Sequence, residues 1–288
     1  MQTYYYVHTG HRIGLDRFRR AATIIRALGD LDITLLTSDY RIAQCARDFG
    51  VKKSVGVDVV RNIPQISHHG DQIIFDSTEA NPIMMEDIRE YFSTCIRVSD
   101  QQEDQKATNE YLLSPYLEGE EICKGVAVDK SFFEYKGVKD IEISYFFGDD
   151  DYEKDLEKNF SFLEGLELNL QLGFYYFLDY EEMLKQKYQT HTEFEEYEET
   201  IMRSKVYVTA SPQAILEALA SNSKPIYIQR EDYTQEFIPL FESLNIPIIY
   251  NYNKEKLSET LATISDRKYH EISFDIENIA NFIKNSLN

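Results

Sequence analysis

Between Val7 and Phe18 the chain reads VHTGHRIGLDRF, a short turn with the residue types of an active-site loop. His8 and His11 carry side chains that exchange a proton near neutral pH. Gly10 and Gly14 let a backbone turn sharply or approach a ligand. Residues 1–30 hold five arginines, Arg12, Arg17, Arg19, Arg20 and Arg26, against Asp16 and Asp30. A second such place is Thr209-Ala210-Ser211-Pro212, a strand end that opens a helix. Ser211 suits the N-cap and Pro212 the first helical position, and free amides at a helix start hold anions. Glu217 falls two turns in, within reach of a sugar hydroxyl, and Gln235 lies in the polar loop after the next strand.

Other groups compete for attention. Asp149, Asp150 and Asp151 follow Gly148 directly. Two unit charges 4 Å apart in water repel by about 1 kcal/mol, so this run opposes a bound diphosphate. A hard cation bridging the two is one escape; an acidic helix start, favoured by the helix dipole, is the plainer reading. Asp76, Glu79 and Asp100, at or near two strand ends, form a further acidic set. His68 and His69 precede a strand at its entry end and read as loop. Phe194, Tyr197 and Ile201 share one face at helical spacing, the mark of an ordinary amphipathic helix.

The elements that must position these groups alternate. TYYYV, DITLLTS, QIIFDS, TCIRVSD and the shorter EYLLSPYL read as strands. DRFRRAATIIRALG and YRIAQCARDFG read as helices stopped by Gly29 and Gly50, with PIMMEDIREYF a third. Residues 118–136 read as a connection. A second set follows, with strands DIEISYFFG, LELNLQLG, KVYVTAS, KPIYIQ and PIIYNY. Its helices are DYEKDLEKNFSFLEG, EFEEYEETIMRS, PQAILEALASN and TQEFIPLFESLN. DIENIANFIKNSL closes the chain as a last helix. Such alternation implies parallel sheets covered by helices, with ligands at the carboxyl ends of the strands.

Bulk properties limit the function classes. The 288 residues suffice for two domains, and 43% hydrophobic content can fill two cores. No apolar run approaches the roughly 18 residues of a membrane span. The first ten residues lack the basic and apolar regions of a signal peptide. Cys45, Cys95 and Cys123 are far apart and show no zinc spacing, which implies free thiols in the cytoplasm. A net charge of −20 argues against general nucleic-acid binding. Residues 137–200 hold 18 acidic side chains against five lysines, a solvated acidic face or a field that steers a partner. Twelve glycines are few for a protein with several glycine-rich phosphate loops.

Residues 204–237 resemble the C-terminal half of the two-domain glycosyltransferase-B fold. The pattern is most similar to the UDP-sugar hydrolases of pseudaminic acid biosynthesis, and more distantly to the muramyl-pathway N-acetylglucosaminyltransferases. Thr209-Ala210-Ser211 stands for the hydrolases' Ser-Ala-Ser, Leu216-Glu217-Ala218 for Asn-Glu-Ala, and Gln235-Glu236 for a later Gln-Glu pair. The resemblance implies that the Ser211 turn holds a diphosphate and Glu217 a ribose. The alternative is that both only cap and pack a helix.

The hydrolases' first turn, Gly-x-Gly-His-x-x-Arg, departs from this chain. Aligned on the helix it falls on Gly14 to Arg20, with Asp16 at the second glycine and Arg17 at the histidine. That histidine is the implied water-activating base, and arginine cannot be one. Asp16 also suits the N-cap of the helix. The family's glycine pair after the second domain's first strand is reduced to Gly148.

The expected fold is therefore α/β, with two Rossmann-like domains facing a cleft. The expected division is 1–125, a connector at 126–136, 137–265, and a terminal segment at 266–288. The closing helix either docks on the first domain, as the resemblance implies, or offers a partner surface. Ligand-binding candidates are Gly14, Arg17, Arg20, Thr209, Ser211, Glu217 and Gln235, with no metal and no cofactor. One functional expectation is a catalytically degenerate relative that binds a protein partner as an adaptor or chaperone, in flagellar assembly or motility by analogy. The other is an active UDP-sugar hydrolase or glycosyltransferase that binds UDP or a UDP-sugar and uses His11 as a relocated base.

Overall fold

The computed structural model describes residues 1–79 and 81–287. They form two compact units, residues 1–128 with 273–288, and residues 129–272. The first unit holds strands β1 (Thr3–Val7), β2 (Ile33–Thr37), β3 (Ser54–Gly56), β4 (Gln72–Asp76), β5 (Thr94–Val98), β6 (Tyr111–Ser114) and β7 (Ile122–Lys124). Helices α1 (Asp16–Leu28), α2 (Tyr40–Cys45) and α3 (Pro82–Tyr91) link them. The sheet order is β3-β2-β1-β4-β5-β6-β7, and every pairing is parallel. β2 and β4 are buried along their whole length, as strands covered on both faces must be.

The second unit holds α4 (Lys130–Glu134), β8 (Ile141–Phe146), α5 (Asp155–Lys158), β9 (Asn169–Gln171), α6 (Leu178–Lys187), β10 (His191–Thr192) and α7 (Tyr197–Arg203). It continues with β11 (Ser204–Thr209), α8 (Pro212–Ala220), β12 (Lys224–Gln229), α9 (Ile238–Ser243), β13 (Ile248–Tyr250) and α10 (Lys254–Thr263). This sheet runs β10-β9-β8-β11-β12-β13, again parallel throughout. Each sheet therefore reverses its strand order once, between β1 and β4 in one and between β8 and β11 in the other. In doubly wound sheets such a switch point opens a crevice at the carboxyl ends, where ligands bind.

The closing helix α11 (Ile276–Ser286) belongs to the first unit. It packs on α1 and buries Ile276, Ile279, Ala280 and Ile283. Gln72 Nε2 donates to the Leu287 carbonyl at 2.7 Å, and the Val126 amide donates to Asp275 at 3.2 Å. No helix among the described residues is long and apolar enough to cross a membrane.

Three expectations change. The segment read as a long helix from residue 151 is only α5 and a short 3-10 turn at Phe160–Leu163. Asn159 Nδ2 takes the Asp155 carbonyl at 2.8 Å and stops the helix there. α6, unread in the sequence, buries only Tyr180 and Leu184 of its ten residues, too few for a visible apolar stripe. The connection read at 118–136 contains an edge strand, β7, and the short helix α4.

Tyrosine fills much of the second core. Tyr145, Tyr176, Tyr180, Phe147 and Phe162 share one cluster, with Tyr188 and Tyr252 packed against it. The hydroxyls of Tyr145, Tyr176, Tyr188 and Tyr252 are buried and reach no hydrogen-bond partner among the described residues. An unsatisfied buried polar group costs about 1–3 kcal/mol.

Candidate functional site

At the first switch point Val7 and Asp76 lie side by side as the last paired residues of β1 and β4. The His8 amide continues the ladder by donating to the Asp76 carbonyl at 3.0 Å. The chain then turns back on itself. Ile13 and Gly14 both donate to the Gly10 carbonyl, at 3.1 and 2.9 Å, and Thr9 Oγ1 donates to the Gly14 carbonyl at 2.6 Å. Gly10 and Gly14 adopt φ of 149° and 79°, a region that disfavours other side chains. Gly14 thus closes the turn. His11 lies within it, partly exposed, beside Arg12. The N-cap of α1 is Leu15, without a side-chain cap, so Asp16 falls inside the first turn and the expected Asp16 cap does not form.

Arg17 and Arg20 project from α1 towards Asp76 and Asp100. Arg20 is buried and grips both carboxylates. Its Nε and Nη2 donate to Asp76 at 2.9 and 2.6 Å, and its Nη1 and Nη2 to Asp100 at 2.5 and 3.2 Å. Arg17 lies beyond, 3.7 Å from Asp76 and 3.5 Å from Asp100. Two cations meet two anions, and the cluster is neutral. Burial alone would raise the pKa of Asp100; Arg20 and then Arg17 outweigh it and hold the carboxyl below its ordinary range. The fork geometry suits arginine and would not suit lysine.

The acidic set read from the sequence therefore divides. Asp76 and Asp100 serve the arginines, while Glu79 serves a histidine. His8 Nδ1 lies 3.1 Å from Thr78 Oγ1, and its Nε2 lies 4.0 Å from Glu79. Glu79 also accepts from the Tyr6 hydroxyl and, at 3.4 Å, from Ser77 Oγ. A 4.0 Å separation exceeds hydrogen-bond range, so Nε2 is oriented without being tied. Burial pushes the His8 pKa down; Arg17 adds to this and Glu79 opposes it. His8 carries the signal that sequence reading undervalued, a proton-exchanging side chain directly at the end of β1.

At the second switch point Phe146 and Thr209 are paired. Thr209 Oγ1 accepts the Ser211 amide at 3.0 Å, and Ser211 Oγ caps α8 by accepting the Ala214 amide at 3.1 Å. Glu217 lies buried on α8. Its oxygens accept from Tyr197 Oη at 2.7 Å and Gln213 Nε2 at 2.9 Å. Thr209, Ser211 and Glu217 are thus brought to one strand end and its helix. Gln235 stands apart, exposed in the loop after β12, where its carbonyl accepts the Ile238 amide at 3.0 Å.

The three aspartates after Gly148 are buried in the loop that leads to α5, and Asp151 meets the acidic-helix-start reading by taking the first amides of that helix. Asp151 accepts the amides of Asp155 and Leu156 at 2.7 and 3.1 Å and the Tyr180 hydroxyl at 2.5 Å. Burial nevertheless raises its pKa against these stabilising bonds. The loop is held from two sides. The Tyr175 amide donates to the Asp149 carbonyl at 2.8 Å, and Arg230 Nη1 to the Asp150 carbonyl at 2.8 Å. A Cβ at Gly173 would lie 2.5 Å from the Gly148 carbonyl oxygen, so the close backbone approach requires glycine at 173. Arg230 also pairs with Asp232 at 2.9 and 2.6 Å and lies 4.3 Å over the Phe147 ring. Sequence reading missed Gly173 and Arg230, although Arg230 follows β12 as a lone cation at a carboxyl end. Among the described residues no group of three or more His, Cys, Asp or Glu stands in a metal-holding arrangement.

No protein-family profile matches the chain, and no curated protein matches it. Solved structures do. UDP-GlcNAc 2-epimerase of Methanocaldococcus jannaschii, in complex with UDP-GlcNAc and UDP, is 12% identical with a TM-score of 0.62, and 99% of each chain is covered. MnaA of S. aureus, in a co-structure with UDP, is 14% identical with a TM-score of 0.64, covering all of this chain and 97% of that one. The calicheamicin glycosyltransferase CalG4 is 9% identical with a TM-score of 0.57, covering all of this chain and 95% of that one. At such identities the likeness shows the fold alone: two Rossmann-like α/β domains of the glycosyltransferase-B type.

Proposed function

We propose that this chain is an enzyme acting on a nucleotide-sugar, with His8 as its general base. The observation that carries this reading is His8. It stands at a switch point with Nδ1 against Thr78 and Nε2 4.0 Å from Glu79. A hydroxyl accepting from Nδ1–H leaves the lone pair on Nε2, which is the tautomer of a base. The downward pull of burial keeps the ring neutral at neutral pH. His8 takes the proton from the oxygen that attacks the anomeric carbon, whether of water or of a sugar hydroxyl. The bond from that carbon to the nucleotide breaks, and the diphosphate leaves with the electron pair. Glu79 stabilises the imidazolium that forms. Ser211 and Glu217 are the proposed diphosphate and ribose ligands, through the helix start and the buried carboxylate. His11, inside the turn that Gly14 closes, is the alternative base.

Calorimetry with UDP tests the nucleotide half. Turnover of a UDP-sugar panel, followed by proton NMR, tests the chemistry. General-base loss in His8→Gln is expected to lower turnover about 10²–10⁴-fold with UDP affinity unchanged. UDP that fails to bind at millimolar concentration would sink the reading.

A second reading, a degenerate relative that binds a protein as an adaptor or chaperone, is favoured by the arginine cluster. Arg17 occupies the place of the resembling family's base, and Arg20 is committed to Asp76 and Asp100. A role in flagellar assembly or motility rests on that resemblance alone. Wild-type turnover of any UDP-sugar excludes this second reading.

A further inference from the structure

Four tyrosines of the second unit raise a question that the switch points do not answer. Tyr145 lies on β8, Tyr176 and Tyr188 flank α6, and Tyr252 follows β13. Their rings belong to one packed region. Phe162 meets Tyr145 and Tyr252 edge-on at 6.4 and 5.7 Å, and Tyr252 stacks on Phe147 at 6.3 Å. Tyr176 touches Tyr180 at 5.5 Å, and Tyr180 donates to Asp151. Tyr145 is 1% exposed and Tyr176 9%, yet neither hydroxyl has a partner among the described residues, and the same holds for Tyr188 and Tyr252. Ionisation of Tyr145 is opposed first by burial and then by Tyr252, Tyr188 and Asp151, so these groups lie within electrostatic reach of one another. Tyr176 likewise feels Asp151, Tyr180 and Tyr145.

Four orphaned hydroxyls in one small core would remove a large share of a domain's stability. Phenylalanine would fill nearly the same volume without that penalty. We propose that the core of the second unit holds a cluster of buried water molecules, hydrogen-bonded to Tyr145, Tyr176, Tyr188 and Tyr252 and bordered by Asp151 and Arg230. The surroundings select a small neutral guest. Asp151 already accepts three bonds, from Tyr180, Asp155 and Leu156. The guanidinium of Arg230 is directed to Asp232 and the Asp150 carbonyl. A charged guest would find its countercharge spent, whereas hydroxyls that both donate and accept suit water, which typically makes about three bonds when buried. The water lies behind the loop at 148–151 and helps to fix its position, and this holds whatever the protein's substrate.

Thermal unfolding of Tyr145→Phe and Tyr176→Phe gives the first test. Each is expected to lower Tm by about 2–4 °C, with the double variant losing less than the sum because the hydroxyls share water. A Tm that is unchanged or raised in both would overturn the proposal, since removing a true orphan relieves the fold. Oxygen-17 magnetic relaxation dispersion on the wild-type protein gives the second. Long-lived internal water is expected, reduced in the double variant; no such water in the wild type overturns the proposal even if the variants fail to fold.

Discussion

The two switch points share a topology and solve opposite problems. At the first, charge is matched by charge: Arg17 and Arg20 against Asp76 and Asp100, which leaves His8 and Glu79 as the lightly tied pair. At the second, a run of three aspartates is absorbed with one arginine, by backbone amides, a tyrosine and a close glycine contact. The lesson is that one sheet plan accepts either side-chain ion pairs or backbone dipoles at its ligand edge. Side-chain pairing leaves His8 and Glu79 lightly tied, whereas backbone capture holds the loop from two sides.

Substitutions that remove one partner separate the two solutions most clearly. Arg20→Met leaves two buried carboxylates to the longer contacts of Arg17 and is expected to cost about 3–5 kcal/mol in urea unfolding. Arg230→Met should cost less, because Asp232 is 41% exposed and regains water. Equal losses would erase the distinction. Gly173→Ala forces a methyl against the Gly148 carbonyl, and about 1–3 kcal/mol is expected from such overpacking. A neutral outcome would mean that the loop is not rigid. Ser211→Ala removes the cap of α8 and should cost about 1 kcal/mol, while weakening UDP binding if the helix start holds the diphosphate. A stability loss with unchanged affinity would confine Ser211 to capping.

Acid gives the smallest and most selective effect. The folded pKa of Asp100 is depressed, so its stabilisation is present above the ordinary carboxylate value and is lost as pH falls through the lower folded value. The folded pKa of Asp151 is raised, so its contribution is complete below the ordinary value and is lost as pH rises through the folded one. Hydrogen exchange between pH 5 and 3 should therefore weaken protection in β1 and β4 before it weakens β8. The reverse order would contradict the assigned pairing.

Much of the fold was legible because it is written locally. Gly29 and Gly50 stop helices, Ser211-Pro212 starts one, and buried β-rich runs mark the central strands. The edge strands β3, β7 and β10 span only two or three residues, too short for a pattern. The site was less legible because its logic is long-range. Arg20 lies 56 positions from Asp76 and 80 from Asp100, and nothing near Arg20 declares those partners. His8 and Glu79 meet for the same reason, as neighbours made by the register of β1 on β4. The resemblance drew attention to the helix positions, whereas the approach of His8 to Glu79 follows from the strand ends.

The place of α11 has a consequence for how the chain is made. The first unit includes residues 273–287, which a ribosome produces only after the whole second unit. Until then the apolar face of α1 that α11 covers remains open to other contacts. The unit begun first is therefore completed last, and the nascent chain carries a full set of strands but an uncovered helix throughout synthesis of the second.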